Sequence, residues 1–358
     1  MTMAKWLAVM VSTLLASAIG AAGGTPEALK AGFIYVGPVG DYGWSYAHDQ
    51  GRKYLETILP DVKTTFIESV PEGADAERVL TQLARAGHKV IFATSYGYMD
   101  TMLRVAERFP EVVFLHCSGH NRRANMGTYF GRMYQVSYLT GLLAGTVTQK
   151  QRIGYVAPIP IPEVIRITNA FVLGVRVVNP EVKVHVVWTN AWYDPATESE
   201  AANSLLDIGV DVIATQSDSP APVQTAERRG AYSVGFNTDA SKFAPTKHLV
   251  SAIWHWGPYY VDVVKRVRAG TWKSADDWWP IGTGIVRLSP FGPVVTDTLK
   301  DLMAQRQQDL IAGHFDVFWG PLKDQSGKLR IAAGEKPTDE VLLDMNWFVE
   351  GVVGTVPK

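Results

Sequence analysis

Aromatic and polar side chains recur in this chain at the ends of the strands that its sequence predicts. Short apolar runs, for example 32–36, 90–94 and 212–215, predict buried strands, and a polar or aromatic loop follows each of them. Aromatic rings stack on nucleobases with roughly 1–3 kcal/mol per base, and carboxylates and amides hydrogen-bond ring edges. The residues at these strand ends are Asp41, Trp44, Tyr96, Tyr98, Trp192, Tyr193, Asp218, Asn237, Asp239, Trp254, His255 and Trp256. Their types together predict a cleft that binds a flat, polar ring.

The loop at 37–48 combines more of these features than any other. It lies between the apolar run 32–36 and a segment with helical apolar spacing, so it is predicted to join a strand to a helix. Its glycines allow a ligand to approach the backbone, N–H groups at the helix start are free to donate, and Asp41 adds a carboxylate. Taken alone, the loop is equally compatible with an ordinary turn whose Trp44 packs on the core.

The residues do not form the patterns of common enzymes. The chain has no G-x-S-x-G elbow, no P-loop and no H-E-x-x-H helix, and 37–40 does not match the dinucleotide fingerprint. The eight histidines do not fall at metal-ligand spacings. We therefore expect a binding protein rather than an enzyme, with no cofactor and no metal site.

Composition and charge limit the classes of partner. The chain has 358 residues, of which 47% are hydrophobic and 19% charged, so it can bury a full core. The net charge is -1, and no block of Lys and Arg occurs. These values argue against binding to nucleic acid or to anionic membranes.

The N-terminus is predicted to be a signal peptide. Lys5 precedes the apolar segment 6–19, and small residues follow, so we expect residues 1–22 to be cleaved and the protein to be periplasmic. The alternative is a membrane anchor, but the apolar run is short for a spanning helix. The single cysteine, Cys117, allows neither an internal disulfide nor lipid attachment at the signal segment, so we expect no direct membrane anchor.

Strands and helices are predicted to alternate, which indicates an α/β protein with mostly parallel sheets and right-handed crossovers. Two series of such units occur. The segment 87–94 in the first resembles 209–215 in the second, and each leads from a helix end through a strand to a polar loop. The sequence therefore predicts two doubly wound lobes with a ligand cleft between them.

Seven short segments spread over the chain together match the pattern of a known family. They are 40–46, 75–78, 96–100, 192–195, 257–260, 319–322 and 347–351. With them the chain resembles the basic membrane protein (BMP) family, substrate-binding proteins of ABC transporters that include bacterial purine nucleoside receptors. The resemblance implies a two-lobe type I periplasmic-binding-protein fold with a purine in the interlobe cleft. It also implies ABC permease and ATPase subunits as partners.

The same resemblance suggests roles for individual residues. Trp44 stands where the family places one stacking Phe, and Trp192 where it places the other. Asp41 occupies the position of the first-loop acid. Asn237 and Asp239 fall in the family's Asp-x-Asp stretch, with the first Asp replaced.

One departure from the family pattern favours a free base over a nucleoside. Trp254 stands where many members have a Lys that reaches the ribose, and a bulky indole there would remove a donor and fill space. Adenine, guanine or a related oxopurine is therefore expected to bind at least tenfold more tightly than its nucleoside. Asp218 and Asn237 are the first candidates for contacts to the ring edge, followed by Asp41 and Tyr96.

The fold implied by the resemblance sets the expected boundaries. Lobe 1 would comprise 27–131 and 255–283, and lobe 2 would comprise 132–254 and 284–318. The extension 319–358 would pack back across the lobes, and we expect a monomer. Three functions remain open at this stage: a purine transport receptor, a chemosensory or binding protein for another flat or sugar-like solute, and a secreted enzyme.

Overall fold

The computed structural model describes residues 28–357, along which strands and helices alternate. In chain order the strands are β1 (Lys30–Ile34), β2 (Lys63–Ile67), β3 (Val90–Ala93), β4 (Val113–Cys117), β5 (Met126–Gly131), β6 (Arg152–Ala157), β7 (Lys183–Trp188), β8 (Val212–Thr215), β9 (Tyr232–Asn237), β10 (His248–Trp254), β11 (Asp276–Trp279), β12 (Val286–Leu288), β13 (Leu322–Lys323), β14 (Leu329–Ile331) and β15 (Val352–Val353). The α-helices are α1 (Trp44–Ile58), α2 (Ala74–Arg85), α3 (Met99–Arg108), α4 (Met133–Val147), α5 (Pro162–Val178), α6 (Pro195–Asp207), α7 (Ala221–Arg228), α8 (Gly257–Arg268), α9 (Asp297–Ile311) and α10 (Asp339–Leu343). The predicted signal peptide, 1–22, lies outside the described residues.

The strands form two large sheets with the same internal order. The six-stranded sheet runs β11-β5-β4-β3-β1-β2, and the seven-stranded sheet runs β12-β10-β9-β8-β6-β7-β15. Every pairing in the first sheet is parallel, and in the second only β12 runs antiparallel to its neighbour. The α/β class and the mostly parallel, doubly wound sheets predicted from the sequence are therefore confirmed.

The two sheets are structural equivalents. β1 lies between β2 and β3 in one, as β6 lies between β7 and β8 in the other. The similar segments 87–94 and 209–215 contain β3 and β8, which occupy matching positions. In each sheet the strand order reverses between the first and third strands, and ligands bind outside the carboxyl ends of strands at such switch points.

The chain passes between the sheets three times. α4 follows the last consecutive strand of the first sheet, α8 returns from β10 to pack on α1, and β12 follows β11 back to the second sheet. Arg132 N–H donates to the carbonyl of Trp279 at 2.7 Å, and His255 N–H donates to that of Ile285 at 2.8 Å, so the crossing segments lie side by side. The lobe boundaries given above stay a prediction.

The segment after α9 contacts both crossing and lobe elements. β15 adds to the edge of the seven-stranded sheet beside β7, and α10 packs on α5. Arg132 forms a bidentate ion pair with Asp339 of α10, at 2.8 and 2.6 Å. Whether the extension 319–358 belongs to both lobes stays a prediction.

Helix α5 is held close to α4, which fixes the start of α5 at the cleft. A Cβ on Gly141 would lie 2.0 Å from the carbonyl oxygen of Phe171, and one on Gly174 would lie 2.0 Å from that of Tyr138. Backbones that approach this closely require glycine. The first turn of α5 therefore has a defined position at the strand ends.

Candidate ligand-binding site

A cavity lies where the carboxyl ends of the two sheets face each other. It encloses about 450 Å³ of space free of protein atoms, part of it open to solvent. We call it the cleft cavity, and its lining residues are Val36, Trp44, Ser95, Tyr96, Ser118, Glu163, Trp192, Gln216, Asp218, Phe236 and Asn237. They follow β1, β3 and β4 of one sheet and β6, β7, β8 and β9 of the other, which is the switch-point location in both.

The loop after β1 is built around Asp41. Its carboxylate accepts hydrogen bonds from the backbone N–H groups of Gly43, Ser45 and Tyr46, at 2.8, 3.0 and 3.0 Å, and so satisfies donors that α1 leaves free at its start. Asp41 is only 2% exposed and does not line the cleft cavity. Burial raises its pKa to about 6, although the three backbone hydrogen bonds act in the opposite direction. Asp41 fixes the direction in which α1 begins.

That direction places Trp44 in the wall of the cavity. The indole N–H of Trp44 donates to the carbonyl of Thr94 at 2.5 Å, and its ring stands nearly perpendicular to those of His48, Trp254 and Trp256. These contacts fix the orientation of the ring before any ligand binds. Trp44 is therefore both a packed residue and a cavity residue, so the two interpretations of this loop are compatible.

Trp192 reaches the cavity from the loop between β7 and α6. Asp194 caps α6 by accepting from Thr197 N–H at 3.1 Å, and Pro195 occupies the first turn, so the helix start is well defined. The carbonyl of Trp192 accepts from the N–H of Asp218 at 3.1 Å, which ties this loop to the one after β8. Trp44 and Trp192 line the same cavity without forming a ring pair with each other among the described residues.

Three side chains of the second sheet form a chain of hydrogen bonds that ends at the cavity. The indole N–H of Trp254 donates to Asn237 Oδ1 at 2.9 Å, and Asn237 Nδ2 donates to Asp218 Oδ1 at 2.8 Å. Asn237 adopts a φ of 65°, a strained conformation that asparagine tolerates better than most residues. Trp254 and Asn237 together orient the carboxyl group of Asp218, whose second oxygen stays free of protein partners in the described chain.

Both carboxyl groups in the cavity wall have raised pKa values. Burial is the main cause for Asp218, and the nearby charges of Asp41 and Glu198 raise its pKa further, while the Asn237 hydrogen bond lowers it. Burial raises the pKa of Glu163 to about 7, and the charge of Arg166 acts against this shift. Perturbed titration in a cleft is typical of functional sites.

The two sheets contact each other beside the cavity. A Cβ on Gly43 would lie 2.0 Å from the carbonyl oxygen of Asp218, so only glycine permits this approach. The hydroxyl of Thr238 donates to the carbonyl of Tyr42, and Lys242 Nζ lies 3.6 Å from the centre of the Tyr42 ring. The loops after β1, β8 and β9 thus meet in a closed arrangement.

Some of the predicted site residues line the cleft cavity, and others do not. Trp44, Tyr96, Trp192, Asp218 and Asn237 line it, and their contact with a ligand stays a prediction. Asp41 and Trp254 are buried behind the wall and act on lining residues. Asp239 is exposed, accepts from Ser241 N–H at 2.9 Å, and does not line the cavity. These three residues do not line the cleft cavity, and their contact with a ligand also stays a prediction.

The sequence prediction missed several lining residues. They are Val36, Ser95, Ser118, Glu163, Gln216 and Phe236. A signal for Glu163 was present, because it follows β6 at a helix start just as Trp44 follows β1. Applying the switch-point rule to both predicted lobes would have identified it.

The parallel two-sheet architecture with a cavity at its strand ends is the type I periplasmic-binding-protein fold. A solved ABC transporter solute-binding protein from Conexibacter woesei has this fold, with a TM-score of 0.69 at 22% identity, covering 81% of this chain and 98% of that one. The family model described as "ABC transporter substrate-binding protein PnrA-like" (Bmp) matches residues 28–314. The chain belongs to this family, which confirms the resemblance found in its sequence.

Two relatives are much closer in sequence. A purine-binding protein of Brucella abortus is 44% identical over 351 residues, which are 98% of this chain and 100% of the relative. A proposed glucose-binding protein of an ABC transporter from Haloferax volcanii is 41% identical over 340 residues, 94% of this chain and 84% of the relative. The similarity extends over almost the whole chain in both cases.

Membership in the family places the chain among the extracytoplasmic substrate-binding components of ABC transporters, which work with a permease and an ATPase. Within 28–357, no helix is both long and apolar enough to cross a membrane.

Proposed function

We propose that this protein captures a purine in the cleft cavity and delivers it to an ABC permease, and that it binds a free base more tightly than a nucleoside. Trp44 from one sheet and Trp192 from the other hold the ring by stacking, and Asp218 contacts its edge. The observation that carries the proposal is that both indoles line one cavity together with the Asp218 carboxyl, which a hydrogen bond from Asn237 orients. The 44% identity to a purine-binding protein supports the same ligand class.

The reason for base selectivity differs from the one the sequence suggested. Trp254 is 5% exposed, donates to Asn237 and is not among the residues that line the cleft cavity, so we look for the source of the selectivity elsewhere in the wall. The preference for a free base remains part of the proposal, and Glu163 is a better candidate than Trp254 for its source.

Calorimetry with adenine, adenosine, guanine and guanosine tests this function directly. We expect each base to bind at least tenfold more tightly than its nucleoside, a difference of about 1.4 kcal/mol. Equal affinities for base and nucleoside would contradict the selectivity, and lack of binding by all four would contradict the purine assignment. Mass spectrometry of ligand released from the purified protein should detect an unmodified purine.

A sugar is the second candidate ligand, favoured by the relative from Haloferax volcanii. Aromatic walls with carboxyl and amide groups also suit a pyranose, whose hydroxyls need buried partners. Glucose belongs in the same titration series. Glucose binding in the absence of purine binding would make the sugar assignment the correct one.

A further inference from the structure

Glu163 stands at an opening in the wall of the cleft cavity. It lies in the first turn of α5, directly after the loop that follows β6, and it is half-buried. Its side chain also lines a larger neighbouring space of about 1360 Å³, partly open to solvent, which we call the side chamber. The side chamber extends between β11 and α10, along Phe130, Trp278 and Leu343. Tyr96, Ser118 and Glu163 are shared by both spaces.

Most other polar groups around the cleft cavity already have partners. Asn237 uses both ends of its amide for Trp254 and Asp218. The Ser95 hydroxyl donates to Glu72 at 2.6 Å, and Gln216 Oε1 accepts from Tyr155 at 3.1 Å. These groups are therefore committed within the protein.

The groups that remain available include two carboxyl groups, which accept hydrogen bonds in their ionised form. Among the described residues, the Glu163 carboxyl has no hydrogen-bond partner, and Asp218 has one free oxygen. The Gln216 amide nitrogen and the Trp192 indole N–H are available donors among the described residues, and the hydroxyls of Tyr96 and Ser118 can act either way. A ligand that satisfies the two ionised carboxyl groups must present an N–H donor to each of them.

We propose that Glu163 accepts a hydrogen bond from the imidazole-ring N–H of a free purine base and thereby excludes nucleosides. The inference rests on the proposed purine function and names the residue that selects within it. A free purine carries one hydrogen on its five-membered ring, at N7 or N9. In a nucleoside N9 bonds to the sugar and N7 carries only a lone pair, so no N–H remains there. The carboxyl of Glu163 would then face a lone pair or a carbon, and an acceptor that the ligand buries without providing a donor is costly.

The position of Glu163 fits this role. With the imidazole ring of the base at Glu163, the sugar of a bound nucleoside would extend toward the side chamber, which shares three lining residues with the cleft cavity. Glu163 lines both spaces, so the side chain that accepts the N–H also borders the path that the sugar would take.

Titration calorimetry on variants separates this role from purine binding itself. The ligands are whichever of adenine, guanine and hypoxanthine binds wild type most tightly, with its 7-methyl and 9-methyl derivatives and its nucleoside. Neither methyl derivative has an imidazole N–H. We expect wild type to prefer the base at least tenfold over all three derivatives, and Glu163→Ala to reduce each preference to less than threefold. Glu163→Gln, which keeps the side-chain size and a carbonyl acceptor, should lower the preference at least threefold.

Glu340→Gln is the matched control, since Glu340 is an exposed acid that lines only the side chamber. It should keep the wild-type preferences. If Glu163→Ala retains the wild-type preference, or if Glu340→Gln loses it equally, the assignment to Glu163 is wrong even though purines bind. If no purine binds wild type, the proposed function fails together with it. Should Glu163→Ala unfold, the Gln variant decides, and an unchanged preference there overturns the proposal.

Discussion

The two sheets supply different chemistry to the cleft cavity. The six-stranded sheet supplies an apolar and neutral wall that includes Val36, Trp44 and Tyr96. Both carboxyl groups of the wall, Asp218 and Glu163, come from the seven-stranded sheet. Stacking tolerates any flat ring, whereas carboxyl groups distinguish ligands by their N–H donors.

The supporting structure differs in the same way. In the six-stranded sheet, the Asp41 carboxylate accepts hydrogen bonds from backbone N–H groups, and these bonds fix the start of α1 and the ring of Trp44. In the seven-stranded sheet, Trp254 donates to Asn237 and Asn237 donates to Asp218, and these bonds orient the Asp218 carboxyl in the cavity wall. We infer that general affinity comes mainly from one sheet and selectivity from the other, with Trp192 as an aromatic contribution from the second. Four changes test this division.

Gly43→Ala should have the largest effect, because it acts where the two sheets meet. Its new Cβ would lie 2.0 Å from the carbonyl oxygen of Asp218, and backbone atoms on both sides cannot yield easily. Overpacking of this kind costs roughly 1–3 kcal/mol or more, so we expect affinity to fall by about 100-fold. Calorimetry measures the loss.

Gly40→Ala provides the control in the same loop. A Cβ on Gly40 meets nothing within 4 Å, so this variant should bind with wild-type affinity. Equal losses in both variants would mean that the loop needs glycine for flexibility rather than for contact between the sheets.

Trp192→Ala should reduce affinity by roughly 1–3 kcal/mol, or about 5- to 150-fold, through loss of stacking. The loss should be similar for every purine that binds, because stacking does not read ring substituents. The neighbouring Tyr193 is 42% exposed and does not line the cavity, so Tyr193→Ala should leave calorimetric affinity unchanged. A Trp192→Ala protein that discriminates differently among purines would give this indole a role in selectivity and break the division.

Much of this arrangement could be predicted from the sequence. Apolar runs and helical spacing predicted strands such as β3 and β8, and the similarity of their surroundings predicted that the two sheets are equivalent. Aromatic residues at strand ends predicted Trp44, Tyr96 and Trp192 as cavity residues. These predictions depend on local patterns, which a single sequence contains.

The roles of Asp41, Trp254 and Glu163 could not be predicted in the same way. Whether Asp41 faces a ligand or the first turn of α1 depends on loop geometry, and both are normal uses of a carboxylate. The Trp254 hydrogen bond depends on the pairing of β9 with β10. The switch-point rule could have placed Glu163 at the cavity, but the loop before it, 158–162, is rich in Pro and Ile and does not indicate what the Glu163 carboxyl contacts.

The pH dependence of binding tests whether the carboxyl groups from the seven-stranded sheet contact the ligand. The pKa of Glu163 is raised to about 7 by burial, so the group is largely protonated at pH 6 and largely ionised at pH 8. The ionised form accepts an N–H more strongly, so affinity for a base should rise with pH, by about tenfold from pH 6 to pH 8. Binding should also release protons, which calorimetry in buffers of different ionisation enthalpy detects.

Other ionisable groups surround Glu163 and need controls. Arg166 lies one turn further along α5, and Asp218 faces the same cavity. The side chamber adds His120, Asp276, Asp339, Glu340 and Asp344. Glu163→Gln should abolish the rise in affinity with pH. If the rise persists in that variant, its source is another of these groups, with Asp218 the first candidate because its pKa is also raised.

Trp254→Phe should have the smallest effect, and its pattern across ligands is more informative than its size. The change keeps an aromatic ring beside Trp44, Phe130 and Trp256 but removes the N–H that donates to Asn237 Oδ1 at 2.9 Å. Loss of one hydrogen bond in a buried chain costs about 1 kcal/mol, or roughly fivefold in affinity, since Asp218 is then less well oriented. We expect base and nucleoside to lose affinity by the same factor, which calorimetry on adenine and adenosine measures. If Trp254 instead closes a ribose site, the smaller ring should improve adenosine binding relative to adenine. That result would make Trp254 the source of the preference for base over nucleoside, and it would contradict the proposal that Trp254 acts only by orienting Asn237.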